Sequence, residues 1–203
     1  MPALRPAVGI ALAFALASGC DRDSTARPQA RKAAMSDVRL DFTLTKTGGK
    51  LHVAYRLTNG TNATIYVADQ LLAYHEGKIK LVPERMIVVP GDTKDTVRLV
   101  RAMEPTDSSE FQHPPGAAPL AAGATRDGTA ELELPLQGWH NYGESPELPG
   151  PPKQAVLEIA YLAGDAIQWG SVTTSDGVKV TVPQVPSYLG HVKLARSGPK
   201  PLP

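Results

Sequence analysis

Few side chains in this sequence are able to do chemistry, and their spacing argues against most reactions. Five histidines are present, and imidazole both binds metals and moves protons near neutral pH. His52 falls on the wet face of an alternating strand, and His75 sits beside Glu76-Gly77. His113 lies in a Pro-rich loop, His140 near a second such loop, and His191 close to the carboxyl end. No pair has the spacing of zinc or copper ligands, so scattered surface histidines and no metal are expected. Glu131 and Glu133 come closest to a carboxylate pair. Two apart on one strand, they share one solvated face, whereas glycoside cleavage needs two carboxyls flanking a cleft in unlike environments. The sequence has no Gly-x-Ser-x-Gly elbow and no phosphate-cradling glycine loop before a helix. A catalytic role and a cofactor are therefore not expected. The distant alternative is an enzyme whose cleft joins His140 to Glu144 or Asp165.

A contact surface is the remaining candidate. Trp139, His140 and Tyr142 directly precede Gly143 to Pro152, a loop holding Pro146, Pro149, Pro151 and Pro152. Aromatics beside a proline-stiffened loop lose little conformational entropy on association, which makes them binding anchors. The competing expectation is that Trp139 and Tyr142 plug one end of a hydrophobic core.

Cys20 is the only cysteine in the chain, so no internal disulfide can form. Arg5 gives a positive start, Ala7 to Ala17 is continuously apolar, and Ala17-Ser18-Gly19 puts small residues just before Cys20. That order of charge, apolar run and small residues is a secretory signal. The run falls short of the ~18–20 residues needed to cross a bilayer core. Leu16-Ala17-Ser18-Gly19-Cys20 resembles the lipobox of bacterial lipoproteins, with Ala17 where Leu is commonest. The resemblance implies cleavage between Gly19 and Cys20, and lipid such as palmitate on the Cys20 thiol and the new amino terminus. It also implies a bacterial cell-envelope location, lipid-anchored to a membrane with a periplasmic domain. One acyl chain holds marginally and two or more hold firmly, at about 0.8 kcal/mol per buried methylene.

Four segments follow: a signal peptide over 1–19, a lipidated flexible tether over 20–36, a β domain over 37–183 and a basic, Pro-containing tail over 184–203. The tether is polar, with Pro28, Arg27, Arg31 and Lys32, and coil scaling spans it over roughly 20–25 Å. The tail, ending Ser197-Gly198-Pro199-Lys200-Pro201-Leu202-Pro203, reads as disordered or polyproline-like. Opposite charges nearly cancel, at a net +1, which argues against a dedicated nucleic-acid binder.

Within the β domain the apolar period is two. Val38, Leu40, Phe42 and Leu44 alternate with polar residues, then Leu51, Val53, Tyr55 and Leu57 after Gly48-Gly49. That is a hairpin with one wet and one buried face. Alternation recurs from Ala130 to Leu136 and from Leu157 to Tyr161, the latter with Glu158 outward, while Asp176-Gly177 marks a two-residue hairpin turn. Glu104 to Thr125 shows almost no strand pattern. The whole predicts an all-β, antiparallel, immunoglobulin-like sandwich of roughly eight to ten short strands with Pro-rich loops, the alternative being a β-barrel. Lys50 to Asp69, with its Leu-x-Val-x-Tyr-x-Leu-x-Asn core, is similar to immunoglobulin-like envelope modules such as the BsuPI proteinase-inhibitor domain. This likeness covers about two strands and transfers no active residues.

The expected function is that of a non-enzymatic envelope lipoprotein, bound to the membrane through Cys20 and binding a protein or an envelope polymer. The alternative is an inhibitor or protective factor for an envelope hydrolase.

Overall fold

The computed structural model describes residues 37–102, 114–142, 144–163, 167–184 and 190–203. Cys20, the signal and the tether lie outside them, as do His113 and Asp165. Every regular element described is a strand: β1 Val38–Thr47, β2 Lys50–Asn59, β3 Ile65–Gln70, β4 Leu72–His75, β5 Lys78–Leu81, β6 Ile87–Pro90 and β7 Thr96–Arg101. The second half adds β8 Gly116–Leu120, β9 Thr125–Glu133, β10 Gln154–Leu162, β11 Trp169–Thr173, β12 Lys179–Pro183, β13 Val192–Arg196 and β14 Lys200–Pro201.

β1 and β2 pair without a break from Val38↔Asn59 to Thr47↔Lys50. Gly48 and Gly49 close them with φ of 58° and 82°, the left-handed pair that a tight hairpin turn demands and glycine adopts freely. β9 lies antiparallel on the other edge of β2, completing a three-stranded sheet. Alternation buries Leu40, Phe42, Leu51, Val53, Leu57 and Leu132 on one face. The other face is wet and carries the ion pairs Arg56–Asp127 (2.7 Å) and Lys50–Glu131 (3.1 Å).

The larger sheet has seven strands built around β10. One edge of β10 takes β7 along residues 154–159 and then β3 at 161–162. The opposite edge takes β14 at 154–155 and β13 at 158–162. Val97, Leu99, Leu157 and Ile159 of this sheet pack on the buried face of the small one. Two sheets face to face over one apolar layer are a β-sandwich, and among the described residues neither sheet closes into a barrel. A third layer covers the outer face of the large sheet. There Ile87, Val100 and Leu162 form a second cluster, and hairpins β4–β5 and β11–β12 meet through Leu72, Val180 and Val182.

The all-β sandwich is as the sequence predicts; several details differ. Fourteen strands are described, more than eight to ten, because β8, β13 and β14 carry little or no apolar alternation. β8 falls inside the segment expected to lack strands. Residues 192–196 and 200–201 of the expected tail are strands of the large sheet: Ala195 is 1% exposed, and between the two strands Ser197 donates its amide to Leu157 O (2.9 Å). The β7–β10 pair is parallel in an otherwise antiparallel set. Glu158, alternating with the apolar residues in the sequence, is 2% exposed because Arg98 of β7 and Arg196 of β13 close over it. It accepts from Arg98 Nη2 at 2.6 Å and lies 3.3 Å from Arg196 Nε, and Arg196 also pairs with Asp92. The turn between β11 and β12 is longer than two residues: Gly177 N bonds Thr174 O and Thr174 N bonds Val178 O, both at 2.9 Å.

Candidate functional site

At the end of the sandwich that holds the β1–β2 turn, β9 stops at Glu133 and the chain leaves the sheet as a strap, Leu134 to Gly138. Both ends of the strap are pinned. Leu134 N donates to Gly49 O (2.9 Å). Trp139 exchanges two backbone bonds with Val88 on β6, at 3.0 and 2.8 Å. The Leu134–Pro135 peptide between these points is cis. A cleft lies on either side of the strap.

The first cleft, about 800 Å³, lies between the strap, the β1–β2 turn and the 146–152 loop. Leu134, Leu136, Pro146, Leu148 and Leu202 give it an apolar lining, with Lys46 and Glu147 as its charges. Its outer wall stands where it does because of Gly138: a Cβ there would lie 1.6 Å from Pro146 O. Only a residue without a side chain lets the loop close on the strap at that distance. The second cleft, about 510 Å³, shares the strap and is the more polar of the two, with Lys50, Glu84, Arg85, Glu131, Glu133 and Trp139 in its lining. Arg85 lies over the Trp139 ring at 5.1 Å, a cation–π contact that orients the indole. Glu131 holds the Lys50 ammonium in its charged form, raising its pKa, chiefly through their hydrogen bond. The same bond lowers the Glu131 carboxyl pKa. Salt bridges this exposed set local charge and contribute little to stability.

The expected contact surface of Trp139, His140 and Tyr142 needs correction. Trp139 lines the second cleft and packs against both core clusters. His140 and Tyr142 are buried at 7% and 6% exposure and present no surface. The Val88 bridge draws this segment onto the sheet edge, where the His140 ring accepts from Tyr142 N (3.1 Å) and Asn141 donates to Leu72 O (2.8 Å). These residues support the strap from behind. The Pro-rich loop does take part, through Pro146, Leu148, Pro151 and Pro152. The alternative pairing of buried His140 with exposed Glu144 receives no support from their burial.

A buried polar cluster stands at the inner face of β2. Tyr55 donates to Asp69 Oδ2 (2.9 Å) and accepts from Arg101 Nη1 (2.9 Å). Arg126 grips both Asp69 oxygens, at 2.7 and 2.9 Å. Arg101 also donates to Thr129 O (2.7 Å) and lies over the Tyr55 ring. Burial pushes the Tyr55 phenol well above its ordinary range, with the Asp69 carboxylate adding to it. These side-chain hydrogen bonds join β2, β3, β7 and β9, so the cluster braces the sandwich. Its members are scattered along the chain at 55, 69, 101 and 126, and no local pattern announces it.

His52 is half-exposed with Nδ1 3.3 Å from Glu131 Oε1, and His191 Nδ1 is 3.2 Å from Ala163 O. Asn59, in a glycosylation-like Asn-Gly-Thr, is fully buried. Its amide donates to Ala63 O (2.8 Å) and Leu120 O (2.9 Å), stitching a turn to the end of β8. Among the described residues no group of three or more His, Cys, Asp or Glu could hold a metal ion. No helix among them is long and apolar enough to cross a membrane. Comparison with family models, with curated proteins and with solved structures finds no match for this chain.

Proposed function

We propose that this chain is a non-enzymatic, lipid-anchored envelope protein whose sandwich binds an extended, apolar-rich segment of another protein at the strap. The two-sided strap carries the reading: an apolar cleft large enough for one or two bulky side chains adjoins a charged cleft with an oriented tryptophan. Buried apolar anchors with a polar rim are how peptide segments are held. Proline on both walls keeps the apolar cleft preformed, so little is lost in ordering it. The anchor rests on the lipobox-like Leu16-Ala17-Ser18-Gly19-Cys20.

Photo-crosslinking tests the site in intact cells. A crosslinker at Leu136 or Leu148 should capture the same protein partner, and one at Thr43 on the wet sheet face should not. Equal capture at all three positions, or none at Leu136 and Leu148, overturns the reading. Labelled palmitate should enter the wild type and not Cys20→Ser; incorporation into both overturns the anchor.

A further inference from the structure

The edge of a sheet offers unpaired backbone N–H and C=O groups to any extended chain, and folds usually close it. Both strand edges that border the second cleft are closed. On β9, Thr129 O accepts from Arg101 Nη2 (2.7 Å) and Glu131 N donates to Glu84 O (2.8 Å). On β6, Val88 exchanges its two bonds with Trp139, and the strand ends at Pro90, which has no N–H to give.

β1 is the other edge of the small sheet. Its two-residue turn makes Thr47 and Lys50 a hydrogen-bonded pair. Alternation then points the backbone groups of Thr43 and Thr45 at β2, and those of Phe42, Leu44 and Lys46 away from it. Phe42 O is taken: Lys200 Nζ donates to it and lies over the Phe42 ring at 5.2 Å. Leu44 and Lys46 differ. Among the described residues their outward N–H and C=O groups have no partner. Lys46 lines the first cleft, so this open stretch borders it.

We infer that the partner's extended segment adds as a strand to this open end of β1, exchanging backbone hydrogen bonds with Leu44 and Lys46 while alternate side chains enter the first cleft. This rests on the strap as the binding site and states how the segment is held there. Residues 44 and 46 stand roughly 7 Å apart along the strand, the repeat at which an added strand bonds its neighbour. Partner residues directly opposite Leu44 and Lys46 share their face of the sheet. Lys46 borders the apolar cleft on that face, so the segment carries apolar side chains two residues apart. Lys200 on Phe42 O ends the open stretch, so the segment does not run past Thr43. A second copy of this chain fits poorly. On the same face it offers Lys46 and Leu44, and Leu44 is already packed on its own core.

Hydrogen exchange on the full chain is the first test. In the free protein the amides of Leu44 and Lys46 should exchange about tenfold or more faster than those of Thr43 and Thr45, which bond β2. Equal protection means the edge is already covered and overturns the inference. In the complex captured by a crosslinker at Leu148, both amides should slow by about tenfold or more. Fast exchange there overturns strand addition, while the capture itself leaves the strap reading in place. A captured mass equal to a second copy of this chain also overturns it. The second test compares two variants. Lys46→Pro removes one outward N–H and leaves the β2 bonds alone; Lys46→Ala removes the side chain only and sets the reference. Capture from Leu148 should be about 2–10-fold lower in Lys46→Pro than in Lys46→Ala, the worth of one net hydrogen bond. Equal capture overturns strand addition; no capture even by the wild type overturns the strap reading and this inference with it. Should Lys46→Pro melt well below Lys46→Ala, exchange in the wild-type complex decides.

Discussion

Replacing Gly138 with alanine tests the strap and its cleft directly. The added methyl would sit 1.6 Å from Pro146 O and 2.8 Å from Pro146 C. Both are backbone atoms, so no side-chain rotation relieves the overlap. Reaching even 3.0 Å requires the loop to retreat by about 1.4 Å. The loop is held downstream, where Lys153 N and Gln154 N donate to Asp95 O at 2.8 and 3.0 Å, so relief comes from its 144–152 portion swinging outward. Overpacking of this kind costs about 1–3 kcal/mol, and an outward swing lowers that cost by exposing Pro146 and Leu148. A net loss of about 1–2 kcal/mol corresponds to a melting temperature lower by roughly 2–8 °C for a domain of this size. Methyl NMR should show Leu136, Leu148 and Leu202 shifted, with Leu99 and Leu157 in place. Crosslinking from Leu148 should fall sharply even though the sandwich remains folded. A melting curve matching wild type, with unmoved Leu148 methyls, would show that the loop does not close on Gly138 and would remove the basis for the cleft.

Tyr55→Phe takes the donor from Asp69 and the acceptor from Arg101, and denaturant unfolding should show a loss of about 2–4 kcal/mol; under ~0.5 kcal/mol would mean the cluster does not brace the sheets. Because the folded Tyr55 pKa is raised, its contribution is complete below the unfolded value near 10 and lost as pH rises above it. The wild type should therefore weaken in alkali more steeply than the variant in pH-dependent unfolding. Asp127 and Glu131 have lowered pKa values, set by Arg56 and Lys50. Their small contribution is present above about pH 4, fades as pH falls, and should shrink with added salt in the same measurement. Glu158→Gln weakens the hold on Arg98 and Arg196, so hydrogen exchange should quicken at 192–196 before β2; equal protection in wild type and variant would show that this ion pair does not fasten the final strands.

Legibility in the sequence followed the exposure of each strand. β1, β2 and β9 have one wet face, so polar and apolar residues alternate and the Gly48-Gly49 turn sets the register. β10 is buried on both faces, and there alternation misleads: Glu158 looks solvated in sequence yet is enclosed by arginines from β7 and β13. β13 and β14 carry so weak a pattern that the segment reads as a loose tail, because pairing with β10 supplies the backbone hydrogen bonds that their side chains cannot advertise.

By itself, the chain's order of residues determined the all-β class, the first hairpin and the expectation of an export signal ending at Gly19, just before Cys20, since each is written in neighbouring residues. Only the tertiary structure decided the clefts. Their walls come from positions 46–51, 84–88, 131–139, 146–152 and 202–203, and Gly138 matters there because a carbonyl eight residues away arrives against it. Tertiary contact also drew His140 and Tyr142 from an expected surface into the backing of a strap and left Trp139 in the lining of the second cleft. A short-range pattern records which face a strand buries; it holds no record of which distant segment will come to lie beside it.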